Sequence, residues 1–290
     1  MTVKKSLFIQ VQWYGPELEA HLEHIYQEHR NRGKSDYIYN LVLDEIGGTY
    51  GLSSKLDTII PYLPGGPRRA CDNVFIGSHY VKWTGTGSAY RQGMLDGGHR
   101  WRNLDMQRGL WQQFADKYPF VPAHHYINHE GVLDLFDSGK LRRAYEAYLI
   151  QSARDSYEVA PRRAILWAPA IWSRKPLTWA EKYGVKRTFQ NVRLHTQGPG
   201  VNWLHLQDMQ GRKYPPPMWV VNQWYRQLKS INQWDSLRIN MELFRTRASG
   251  GIEADTPEAV AKRAAYYWRK NIPIGASWEM RWWMENHAEV

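Results

Sequence analysis

Apolar residues along this 290-residue chain gather in short runs, separated by longer stretches where they recur every third or fourth position. The short runs are rich in β-branched and aromatic residues and have the length of buried strands. They predict eight strands: Leu7–Trp13, Tyr37–Asp44, Asn73–Tyr80, Pro122–Asn128, Ala164–Ile171, Val201–Gln207, Leu237–Met241 and Pro273–Trp278. The stretches between them predict helices over Pro16–Asn31, Arg91–Lys117, Leu141–Tyr157, Met218–Gln233 and Thr256–Asn271. Pro16 and Pro257 suit a first helical turn, and Thr256 suits a cap before it. The fifth crossover, around Trp179–Tyr183, reads as short and weak.

Strands alternating with helices eight times predict an α/β chain, a (β/α)8 TIM barrel forming one domain over residues 1–290. A doubly wound dinucleotide-binding sheet would carry G-x-G-x-x-G after its first strand. Here that strand runs into Gln12-Trp13-Tyr14-Gly15-Pro16 instead. No Pro- or Gly-rich linker divides the chain, and no repeat or low-complexity segment interrupts it.

Barrel chemistry collects at the C-terminal ends of the strands. Polar and indole side chains stand at almost every one: Gln12 and Trp13, Asp44 and Glu45, Tyr126 and Asn128 with Glu130, Trp167 and Trp172, Gln207 and Asp208, Asn240 and Glu242, Trp278 and Glu279. Two ends resemble each other. Asn128-His129-Glu130 and Asn240-Met241-Glu242 both place Asn two residues before Glu, on one face of a strand. Glu130 and Glu242 would then face each other across the barrel mouth. Glycoside hydrolysis needs such a pair, one acid to protonate the leaving oxygen and one carboxylate as nucleophile or base. Asp208, Asp44 and Glu279 are supporting acids, any of which could replace one member. For a single Glu the ordinary fate is a salt-bridged loop acid; the coincidence at two strand ends argues for chemistry.

Composition adds two features, 15 Trp against 7 Phe and a formal net charge of +10. Together they suit nucleic acid, a membrane surface or a carbohydrate. Indoles at strand ends beside acids favour sugar, whose apolar ring face matches a flat rigid surface with a polar edge. Any one Trp is more often packing than platform. The charge lies in small clusters such as Arg68-Arg69, Arg142-Arg143 and Arg162-Arg163, with no basic tail. It points at most to an anionic glycan or a cell-wall polysaccharide as partner. A nucleic-acid partner is not expected, since phosphate would be repelled by the acids, and no membrane span is expected, since no apolar run is long enough. The apolar start after Lys4 and Lys5 carries Gln10 and Gln12 and lacks a cleavage site, so it reads as a strand and the location as cytoplasmic by default.

No cofactor and no metal are expected. The single cysteine, Cys71, excludes an internal disulfide and a Cys-rich zinc site. His124, His125 and His129 lie close in sequence to Glu130 but lack H-E-x-x-H spacing. Gly85-Thr86-Gly87 lacks the Lys-Ser/Thr of a P-loop, and no G-x-S-x-G elbow occurs.

Three segments resemble a glycosidase-like TIM-barrel family of bacterial proteins catalogued as a domain of unknown function. They are Tyr126-Ile127-Asn128-His129-Glu130, Gln207-Asp208-Met209-Gln210-Gly211 and Asn240-Met241-Glu242-Leu243-Phe244. The similarity covers roughly the second half of the chain. Family members often carry a direct Gln-Asp-Gly, whereas here Met209 and Gln210 precede Gly211; many are exported. The resemblance implies a glycosidase-type barrel with its acids at strands four and seven. One alternative is a nucleic-acid-binding protein, whose composition is also basic and aromatic; the nearer alternative is a carbohydrate-binding barrel without turnover. It would keep the indoles and lose the acid pair.

Overall fold

A computed structural model of the protein describes residues 6–10, 15–32, 38–43, 45–46, 49–78, 81, 83–127, 129, 131–133, 136, 138–161, 163–196 and 201–278. The strands are β1 (Ser6–Gln10), β2 (Ile38–Leu43), the short pair β3 (Glu45–Ile46) and β4 (Thr49–Tyr50), β5 (Asn73–Ser78), β6 (His124–Ile127), β7 (Ile165–Trp167), β8 (Trp203–Gln207), β9 (Ser236–Glu242), β10 (Phe244–Thr246), β11 (Ile252–Ala254) and β12 (Ile274–Trp278). The helices are α1 (Glu17–Arg32), α2 (Lys55–Ile59), α3 (Gly97–Lys117), α4 (Gly139–Val159), α5 (Trp179–Leu194), α6 (Met218–Lys229) and α7 (Pro257–Arg269).

Eight of the strands pair in parallel in the order β1-β12-β9-β8-β7-β6-β5-β2, and β1 also pairs with β2, so the curled sheet comes round on itself. Each falls where the apolar runs place one. The β1–β12 seam rests on two register pairs, Ser6 with Ala276 and Leu7 with Ser277. Strand alternation sorts the side chains of β5 to β9 into two sets. Phe75, Tyr126, Leu166 and Ala168 cluster with Trp203 inside the sheet. Leu204, Leu206, Ile239 and Met241 face the helices and join the large core.

Two crossovers depart from the expected pattern. Between β2 and β5 the chain forms the β3–β4 hairpin, the five-residue α2 and a single 3-10 turn, with no full-length crossover helix. The fifth crossover is a full helix of 16 residues. Its start is fixed by a capping box: Thr178 Oγ1 accepts from Glu181 N at 3.2 Å, and Glu181 Oε2 accepts from Thr178 N at 2.6 Å. Gly184, Val185, Thr188, Phe189 and Val192 form its buried stripe. After β9 the chain makes an unexpected antiparallel hairpin, β10–β11. The third helix starts later than its periodicity suggests, because Asp96 Oδ1 caps it by accepting from His99 N, after a π-helical turn over Ala89–Gly93.

Candidate active site

The segments after β8 and β9 are tied together where those strands end. Asp208, fully buried, accepts through Oδ1 from Gln210 N at 3.2 Å and from Glu242 N at 3.1 Å. Its Oδ2 accepts from the Tyr267 hydroxyl of α7 at 3.0 Å. Asp208 N in turn donates to the Asn240 carbonyl at 3.0 Å. Glu242 Oε2 accepts from Gly211 N at 2.6 Å. Thr246 N and Thr246 Oγ1 both donate to the Gly211 carbonyl.

Local sequence explains the turn. Met209 takes a left-handed backbone at φ 54°, and Gln210 Nε2 pins the following loop by donating to the carbonyls of Asp208 and Pro216. The two residues that separate Asp208 from Gly211 are therefore both used. Gly211 is required by space: a Cβ there would stand 2.5 Å from the Phe244 carbonyl oxygen. Arg263 on α7 completes the brace. It pairs with buried Asp255 at 2.5 Å and donates to the Glu242 carbonyl at 2.6 Å.

Burial pushes the Asp208 carboxyl above the usual carboxylate range, against the opposing charge of Arg263 and the three groups that donate to it. With both oxygens engaged and one pointed at α7, Asp208 braces the site from the helix side. Glu242 lies on the Asn240 face of β9 and is only 3% exposed.

Around the same end of the sheet, rings from successive loops meet edge to face. Tyr90 lies 5.6 Å from His129 and 5.0 Å from Trp172, and Arg212 stacks over Trp172 at 4.9 Å. His129 is also flanked by Tyr145 and Tyr148. Burial, with the charge of His99 adding, lowers His129 to about 3, so the ring is neutral. Its carbonyl accepts from Trp167 Nε1 at 2.7 Å.

The remaining expected site residues divide clearly. Trp167 is fully buried against Phe136, Tyr145 and Phe189, in the wall between sheet and helices. Tyr126 is buried inside the sheet, its ring close against Gly77. Gln207 donates to the Ala168 carbonyl at 2.9 Å. Asn240 bonds His205, which burial lowers to about 3. Glu45 lies on β3, and Trp278 pairs in register with Glu242. Gln12, Trp13, Asp44, Asn128, Glu130 and Glu279 lie outside the described residues. Sequence reasoning passed over Tyr90, Tyr267, Arg212 and Arg263. For Arg263 a signal existed, a cation eight residues after Asp255 on a capped helix. Among the described residues no three His, Cys, Asp or Glu side chains gather as a metal cluster, and no helix is long and apolar enough to cross a membrane.

No family model matches the chain, and no curated protein matches it. The resemblance drawn from the three short segments therefore has no sequence-level match, while solved structures match the fold. A candidate alpha-L-fucosidase from Bacteroides thetaiotaomicron superposes with a TM-score of 0.62 at 11% identity, covering 96% of this chain and 85% of that one. A GH18 chitinase from Pseudoalteromonas aurantia gives 0.56 at 14% identity, covering 99% and 100%. A GH18 chitinase from Cycas revoluta gives 0.53 at 11% identity, covering 98% and 96%. The chain thus shares its α/β fold, a curled parallel sheet wrapped by helices, with glycoside hydrolase barrels.

Proposed function

We propose that this chain is a single-domain (β/α)8 glycoside hydrolase that cleaves a glycosidic bond in a poly- or oligosaccharide. Glu242 is the nucleophile or base and Glu130 the general acid/base. The observation that carries the proposal is the fixing of the Glu242 carboxylate at the end of β9 by Gly211 N, inside a turn that Asp208 ties to the same strand. A carboxylate fixed in place before substrate arrives is what such a step requires. The anchored His129 carbonyl supports the second role, because it fixes the residue just before Glu130. Asp208 acts as a positioning residue. Tyr90 and Trp172 supply aromatic surface for a sugar ring, and Gln207 and Asn240 supply amides.

The test is a glycan screen with Glu242→Gln and Glu130→Gln. Each substitution should lower kcat by about 10²–10⁴ while leaving binding in place. Unchanged turnover in both variants sinks the assignment. The anomeric configuration of the product then distinguishes retention from inversion. The near-complete burial of Glu242 favours a second reading, a carbohydrate-binding barrel without turnover. Retained binding with no product from the wild-type chain on any glycan would select it.

A further inference from the structure

The loops that leave β7 and β8 are neighbours, because those two strands pair. They are joined again below, where Leu177 N donates to Gln223 Oε1 and Gln227 Nε2 donates to the Lys182 carbonyl. Between residues 172 and 183 and between 209 and 219 the sequence carries Arg174, Lys175, Lys182, Arg212 and Lys213 against one acid, Glu181. Glu181 is buried in the α5 cap, where Thr178 N and Oγ1 both donate to it. Among the described residues none of the five cations is in an ion pair. The nearby β10–β11 hairpin differs, since Glu253 there takes both Arg245 and Arg247.

Aromatic surface lies among these cations. Trp179 is 77% exposed, Tyr214 65% and Trp219 45%. Trp179 stacks parallel on Tyr183, and Arg212 covers Trp172. The β8 loop is also stiff. Pro215, Pro216 and Pro217 fix its φ angles, and Gln210 holds the Pro216 carbonyl at 2.7 Å. A stiff loop loses little conformational freedom on binding. Uncompensated cations beside flat aromatic faces suit a ligand that is both sugar and anion, with guanidinium forks matching planar acid groups.

We infer that the rim above β7 and β8 binds the acidic groups of an anionic glycan, carboxylate or sulfate, through Arg212 and Lys213 with the neighbouring rings. As a statement about substrate this rests on the glycosidase proposal; as a statement about binding it does not. Binding is therefore measured apart from turnover. The probes are hexagalacturonate, its fully methyl-esterified form and a heparin hexasaccharide, titrated into the full chain by calorimetry at low and raised salt.

At least one acidic probe should bind about tenfold or more tighter than the neutral ester, and the advantage should shrink as salt rises. The double variant Arg212→Ala/Lys213→Ala, checked for an unchanged melting curve, should lose most of that advantage. Lys186→Ala with Lys229→Ala, farther along the helices, should keep it. Equal binding of acidic and neutral probes overturns the inference, as does an acidic preference that the rim variant leaves intact. A thymidine oligonucleotide bound more tightly than either acidic glycan also overturns it, since aromatics with cations serve single strands too. Acidic glycans bound at the rim, with no glycan of the screen cleaved, would defeat the glycosidase proposal alone. Neutral glycans cleaved with no acidic preference would defeat the rim inference alone.

Discussion

Three residues decide how firmly the Glu242 carboxylate is placed. Gly211 has no room for a side chain, so Gly211→Ala must move either the turn or the Phe244 carbonyl 2.5 Å away. The expected result is a large loss of kcat with a smaller loss of stability, read by kinetics and urea unfolding on the same sample. Asp208→Asn puts an amide donor against the Tyr267 hydroxyl or the backbone N–H groups it now accepts from. A buried mismatch of this kind costs about 1–3 kcal/mol, and a shifted urea midpoint checks it. Arg263→Met leaves buried Asp255 without its counter-ion and the Glu242 carbonyl without its donor. Stability should fall by about 3–5 kcal/mol. At this scale the sequence displayed the candidate residues but not their directions. Asn240 and Glu242 announce themselves by spacing along a strand. Asp208 looked equally catalytic, and only the Tyr267 hydroxyl reaching from α7, 59 positions away, shows that it faces the helices. Trp167 is similar: it is buried against the helices, and an indole at a strand end gives no sign of which side of the sheet it occupies.

Among the elements, α5 teaches the most. Its capping box stood in the sequence as Thr178-x-x-Glu181, and its stripe runs at helical spacing. Charged residues and Gly184 obscured it. The glycine has a packing reason: a Cβ at 184 would lie 2.2 Å from the Phe136 carbonyl oxygen. Alanine is intrinsically the better helix former by about 1 kcal/mol, yet Gly184→Ala should lower the urea midpoint, because backbone contact outweighs propensity. A raised midpoint would mean that α5 shifts without cost. The strands were legible throughout, since buried parallel strands read as nearly continuous apolar runs. The hairpins after β2 and β9 were not. Two- and three-residue strands hold no period long enough to see.

At the scale of the whole molecule, buried histidines set the response to acid. Burial lowers His124 and His125 to about 4 and His129 and His205 to about 3, all from an ordinary 6.5. The unfolded chain therefore takes up protons below pH 6.5 that the folded chain refuses. Stability is full above pH 6.5 and falls as pH drops toward 4 and then 3, each group contributing at most about 1.4 kcal/mol per pH unit. Urea midpoints between pH 7 and 4 should decline steadily. The buried Asp208 and Asp155 carboxyls, both raised by burial, act in the opposite sense, so a flat profile would mean that their gain matches the histidine loss.

The tie between β8, β9 and α7 also has a consequence in time. Glu242 leaves the ribosome before Arg263 and Tyr267, the residues that hold its carbonyl and its brace. A chain stalled after residue 250 owns Glu130, Asp208 and Glu242, yet lacks the helix that aims the last of them. Catalytic competence should therefore appear late in synthesis, after the bulk of the sheet has formed, and turnover would report the docking of α7.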